Sequence, residues 1–172
     1  MAFDNELDPE TTEIGSDELL ADDNLRLPEG ASPLVRVHAM RSWLTRRQKD
    51  TALEIGEAAL VWQGIQQEAM QDTTRLRRRE QQRIADRVQQ AQQDFENAQQ
   101  RLSAYEEMAA LLEEYIAHTT SNERTLVEYY LQLEEMMQQE EQKETDADKA
   151  RLRVLLDVQN RIEQVSAPAI DE

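Results

Sequence analysis

The sequence predicts an all-α protein: an elongated antiparallel helical hairpin or coiled coil, alternatively a three-helix bundle, behind a disordered acidic N-terminal arm. Three observations carry this expectation. The first is a stripe of core-type residues at Ile84, Val88, Ala91, Phe95, Ala98, Leu102, Tyr105, Ala109, Leu112 and Ile116, spaced 4-3-4-3-4-3-4-3-4. A stripe recurring every 3.5 residues keeps one seam facing a partner helix. The second is punctuation: four glycines and four prolines among 172 residues suit long helices better than a turn-rich mixed fold. The third is polarity, with 39% hydrophobic and 32% charged residues, which a narrow buried seam tolerates.

Residues 1–31 are acidic, poor in large apolar groups and interrupted by Pro9, Gly15, Pro28 and Gly30. Such a segment buries too little surface to offset its ordering entropy, so it reads as a disordered arm. Within it, Leu19, Leu20, Leu25 and Leu27 cluster among acids, either as a short docking motif for a basic apolar groove or as part of a solubilising tail.

A helical domain follows over residues 32–166. Ser32 is a good N-cap, and Pro33 at the first helical position gives up no needed donor. Val37, Met40, Leu44, Thr51, Ile55, Ala58, Trp62, Ile65 and Ala69 then keep helical spacing. Gly56 and Gly64 lie eight apart on nearly one face, either admitting a close helix or softening this one. Between Ala69 and Ile84 the seam thins to Leu76, which reads as a stutter within one helix over about 33–118; a turn near residue 72 is the alternative.

The stretch His118–Asn122 is the clearest break, and Ser121 or Asn122 can cap a new helix over about 122–165. Leu126, Tyr130, Leu133 and Met137 continue the seam, and Leu155, Val158, Ile162 and Val165 resume it before Pro168. If that helix simply returned along the first, Val165 would reach the level of Leu76 and residues 33–70 would lack a mate. Residues 167–172 read as a short tail.

The net charge of −17 is unevenly spread. Residues 1–30 carry ten acids and one base, residues 31–90 seven acids and eleven bases, and residues 91–172 nineteen acids and seven bases. The basic island contains Arg75, Arg77, Arg78, Arg79, Arg83 and Arg87. Arginine clusters grip phosphates, yet no aromatic residues are interleaved for base stacking, which disfavours nucleic acid. The island reads instead as a solvated face, or as a mate for acids such as Glu140, Glu141 and Glu144 or for the acidic tail.

Nothing in the sequence specifies a reaction. There is no cysteine, and the two histidines, His38 and His118, lack the Glu-x-x-His spacing of a bundle metal site. The four glycines form no phosphate-cradling loop, and the paired acids read as solvated helix faces. No catalytic residue, metal or cofactor is therefore expected. The absence of an apolar run of about 20 residues argues against a membrane span, and the acidic N-terminus is unlike a secretory signal, which points to a cytoplasmic protein.

The expected function is a non-enzymatic coiled-coil scaffold or adaptor. It would self-associate and hold a protein partner through the first helix, with Trp43, Leu44, Trp62 and Ile65 as apolar anchors, and through the acidic arm. The alternative is a peripheral module binding an anionic membrane surface or nucleic acid through the basic island. Gln89-Gln90, Gln92-Gln93 and Gln99-Gln100 flank the main seam. In composition and outline the chain is similar to glutamine-rich coiled-coil adaptors of bacterial compartments and to helical-hairpin stalk proteins of secretion systems. The likeness implies an assembly role and no particular site residue.

Overall fold

Helix-forming sequence and strong caps divide the described residues into four long helices. A computed structural model describes residues 17–71, 76–143 and 145–166. The helices are α1 (Pro33–Met70), α2 (Arg78–His118), α3 (Asn122–Glu140) and α4 (Asp146–Ser166), and residues 17–20 form a single helical turn before them. Among the described residues there is no strand.

The caps are those that short polar side chains provide. Ser32 Oγ accepts the Val35 N–H at 3.3 Å, and Ser121 Oγ accepts the Arg124 N–H at 3.4 Å. Glu80 reaches back to the Arg77 N–H at 2.9 Å to open α2. Thr145 and Asp148 cap α4 reciprocally: the Asp148 N–H donates to Thr145 Oγ1 at 3.2 Å, and the Thr145 hydroxyl and N–H donate to the Asp148 carboxylate. Those bonds hold the Asp148 carboxyl below the usual carboxylate range.

The single helix expected over 33–118 is two helices. α1 ends at Met70 and α2 begins at Arg78; residues 72–75, which include Arg75, lie outside the described residues. The return helix expected over 122–165 is also two, divided after Glu140. Cross-helix pairs give the directions. Arg41–Glu113, Gln48–Tyr105, Glu54–Arg101, Trp62–Phe95 and Glu68–Arg87 run in opposite senses along α1 and α2. Tyr130 meets Gln159 and Glu163, and Glu140 meets Arg151, so α3 and α4 are also antiparallel. Gln93–Asp146 and Tyr105–Asp157 set α4 parallel to α2.

The result is an up-down-up-down four-helix bundle. Residues 33–70 therefore have an intramolecular mate in α2. Val165 lies at the level of Arg36, whose guanidinium donates to the Val165 carbonyl, rather than beside Leu76. α4 begins opposite Gln93, so the stretch of α2 before Gln93 and its mates on α1 continue alone as a two-helix arm. No residue of 52–70 or 76–90 is fully buried. From Arg78 to Gln93 the arm is about 22 Å long at the helical rise.

The core sits at the other end. Met40, Leu44, Met108, Leu112, Tyr129, Leu133, Leu155, Val158 and Val165 are almost wholly excluded from solvent. Each contributes about 2 kcal/mol of apolar burial. The heptad of α2 is realised unevenly. Of the positions seven apart from Ile84 onward, Ala91, Ala98, Tyr105 and Leu112 are buried, whereas Ile84 itself and Val88, Phe95, Leu102, Ala109 and Ile116 are half-buried. Ala104 and Met108, off the seam, are buried as well. A helix touching three neighbours buries a wider stripe than a coiled-coil seam. The same shift occurs in α3, where Leu126 and Leu133 are buried beside Thr125 and Tyr129, while Tyr130 and Met137 stay half-buried.

Two core tyrosines tie the layers together. Tyr129 donates its hydroxyl to the Met108 carbonyl at 2.9 Å, and Tyr105 donates to Asp157 at 2.9 Å. Burial pushes both phenols well above the ordinary tyrosine range, and the Asp157 charge adds to the rise at Tyr105. A pKa raised in the folded state contributes stability that is intact below the unfolded value and is lost as pH rises above it. Unfolding in alkali is thus expected to begin above about pH 10. Tyrosinate absorbance of Tyr105 and Tyr129 should appear together with loss of helical circular dichroism. Ionisation of all four tyrosines while the helices persist would contradict their burial.

Candidate interaction surfaces

The acidic arm was expected to be disordered throughout, but residues 17–31 lie as a strap across α1 and α4; residues 1–16 lie outside the described residues. Leu27 and Ala21 are buried, and Leu20 and Leu25 pack partly on the core. The strap is held chiefly through its backbone. Arg161 of α4, 1% exposed, donates to the Leu20 carbonyl at 3.0 Å, the Leu25 carbonyl at 3.2 Å and the Gln164 side chain at 3.4 Å. Burial lowers the Arg161 pKa against the opposing effect of Asp22 and Asp23, and a guanidinium stays charged through that shift. Trp43 Nε1 donates to Asp23 at 2.6 Å, and Arg47 pairs with Asp23 at 3.3 Å while lying 5.1 Å from the Trp43 ring centre. The small apolar set of the arm is sufficient because its polar backbone finds fixed donors.

The apolar anchors expected for a partner divide into two kinds. Trp43 and Leu44 are core residues, 2% and 1% exposed, with the Trp43 ring edge-on to Tyr105 at 6.2 Å, so neither presents a surface. Trp62 and Ile65 are half-buried on the inner side of the arm, where Trp62 packs on Phe95 at 5.4 Å. The exposed face of α1 is the opposite one. Leu53 is 69% exposed, Leu60 71% and Val61 57%, and nothing lies within 4 Å of where a Cβ on Gly56 or Gly64 would stand. The two glycines therefore open outward and make no close helix contact within this chain. Arg46, Lys49, Asp50, Glu57, Gln67 and Glu68, all exposed, share that face by helical spacing.

The described part of the basic island, Arg77 to Arg87, lies at the tip of the arm. Arg87 pairs with Glu68 across the hairpin at 3.2 Å rather than with the acids near residue 140, one of the alternatives for the island. Glu140 instead takes Lys143 at 2.9 Å and Arg151 at 3.4 Å, and Arg151 also reaches Glu107 at 2.7 Å. Arg77, Arg78, Arg79 and Arg83 are exposed and form no ion pair among the described residues, with Met70 and Leu76 exposed nearby.

An open groove of about 1000 Å3 runs between the strap, α1 and α2. Its walls carry the pairs His38–Asp17, Arg41–Glu113 and Arg46–Asp50, and all its titratable groups are exposed. His118 is also exposed, with Nδ1 2.8 Å from the Glu114 carbonyl at the end of α2. Among the described residues no cluster of His, Asp and Glu is placed to hold a metal ion, and no helix is long and apolar enough to cross a membrane. No family model, curated protein or solved structure matches the chain.

Proposed function

We propose that this protein is a non-enzymatic helical scaffold that self-associates through the outward face of α1. The observation that carries the reading is the exposed run of Leu53, Leu60 and Val61 alongside two open glycines, Gly56 and Gly64. Leu53 and Leu60 are one heptad apart, the spacing of a coiled-coil seam, and the glycines admit a second helix at close range. Charge supports a second copy as the occupant. The face is net basic toward its start, where Arg46 and Lys49 stand with Asp50, and acidic further on, at Glu57 and at Glu68, which also takes Arg87. Two copies laid antiparallel about a two-fold axis, with Leu53 opposite Leu60, bring Arg46 of each copy level with Glu68 of the other, as a self-complementary interface requires.

A charge in the middle of this face tests the reading. Leu60→Asp is expected to leave the helix content unchanged, because Leu60 is already solvated, and to raise the self-dissociation constant at least about tenfold in sedimentation velocity. Equal sedimentation of variant and parent across a dilution series would sink the interface.

A second reading rests on the exposed arginines at the arm's tip. Arg77, Arg78, Arg79 and Arg83 beside the apolar Met70 and Leu76 suit the headgroup region of an anionic membrane. Flotation with phosphatidylserine vesicles at low salt, lost at high salt and lost in an Arg78→Glu/Arg79→Glu variant, would favour it. No flotation at low salt would remove it.

A further inference from the structure

We propose that the groove holding residues 17–27 is an exchangeable docking site, whose occupant in trans is the same segment of a second copy of this chain. The surface is distinct from the outward face of α1, so the proposal does not rest on that interface. The recognising groups belong to α1 and α4, and they read features that any copy of the segment carries. Arg161 takes the Leu20 and Leu25 carbonyls, Trp43 Nε1 and Arg47 take the Asp23 carboxylate, and Ala21 and Leu27 are buried. None of these contacts needs the segment to be continuous with the helix it lies on.

The groove is also costly to leave open. Departure of the strap would strip Arg161 of both carbonyls, leaving Gln164 as its remaining hydrogen-bond partner among the described residues, and would remove the acceptor from Trp43 Nε1. Unmet donors of this kind favour a filled site over an empty one. The connection sets where the strap can swing. Arg36 holds the Glu29 and Ala31 carbonyls at 3.3 Å and 3.2 Å, tying that stretch to α1. The pivot therefore lies at Leu27–Pro28, and everything recognised in the groove lies before it. Exchange between copies replaces each cis contact by an identical trans contact, so concentration and the pivot decide the balance. The strap is acidic, with Asp17, Glu18, Asp22 and Asp23 against Arg26, and faces Arg47, Arg161 and His38 from whichever chain supplies them.

The chain has no cysteine, so single cysteines report the exchange. Full-length chains carrying Asp17→Cys and His38→Cys, an exposed pair at the edge of the groove, are mixed with a short bismaleimide, and a parallel mixture pairs Asp17→Cys with Gln82→Cys on the exposed arm. All three also carry Leu60→Asp, which silences pairing through α1. A trans-seated strap brings the first pair of thiols within reach of the cross-linker, so their mixed adduct is expected to form about tenfold faster than the control. Equal rates in the two mixtures would overturn strap exchange. Because the α1 interface is read separately by sedimentation, failure of one leaves the other to its own test.

Discussion

Replacing Trp43 by alanine is expected to cost about 4 kcal/mol of unfolding free energy, the range for truncating a large buried aromatic. The indole is 2% exposed and meets Tyr105 edge-on, which joins α1 to α2. It also supplies the N–H that holds Asp23 and the face beside which Arg47 lies. The substitution thus opens a cavity and loosens the strap at one stroke. In a thermal melt followed by helical circular dichroism, the midpoint should fall by about 10 °C. Trp62→Ala should cost distinctly less, about 1.5 kcal/mol, because that ring is half-buried on the arm against Phe95. Equal losses for the two tryptophans would contradict the division between bundle and arm.

Arg161→Ala is expected to release the strap and to cost about 3 kcal/mol. The side chain is wholly enclosed in an otherwise apolar stripe of α4, between Val158, Ile162 and Val165. Its planar fork serves the Leu20 and Leu25 carbonyls at once. Lysine offers a point charge without that geometry, so Arg161→Lys should rescue little. Limited proteolysis should cleave within residues 17–31 of the alanine variant well before the parent, while α2 and α3 remain protected. A cleavage pattern identical to the parent would show that Leu27 and Asp23 hold the strap without Arg161.

The sequence carried the heptad of α2 legibly, because alternating steps of four and three leave little choice of buried face. It did not carry the identity of the partner. A stripe states that something covers it, and three different helices cover that of α2, drawing Ala104 and Met108 inward. The break before α2 was obscured by the absence of Gly or Pro near residue 72. Its signal lay instead in the thinned seam and in Glu80 placed three residues after Arg77. Thr145 and Asp148 gave the same kind of signal for α4, inside a stretch where the apolar pattern had faded. Once both breaks are in place, α1 folds back and buries Trp43 and Leu44, which from periodicity alone serve a partner equally well.

The strap was hardest to see. Residues 17–31 are too polar to order themselves, and what orders them is an arginine and a tryptophan far along the chain. The available hint was Arg161 itself: a charge among valines and isoleucines of a core stripe implies carbonyls or acids brought from elsewhere.

The central claim, assembly through the solvent-facing stripe of α1, is tested most directly by the absolute mass of the unmodified chain in size exclusion with light scattering. The account predicts a species of twice the 20.0 kDa chain mass that dissociates on dilution. A mass of 20.0 kDa that holds at the highest soluble concentration would contradict it.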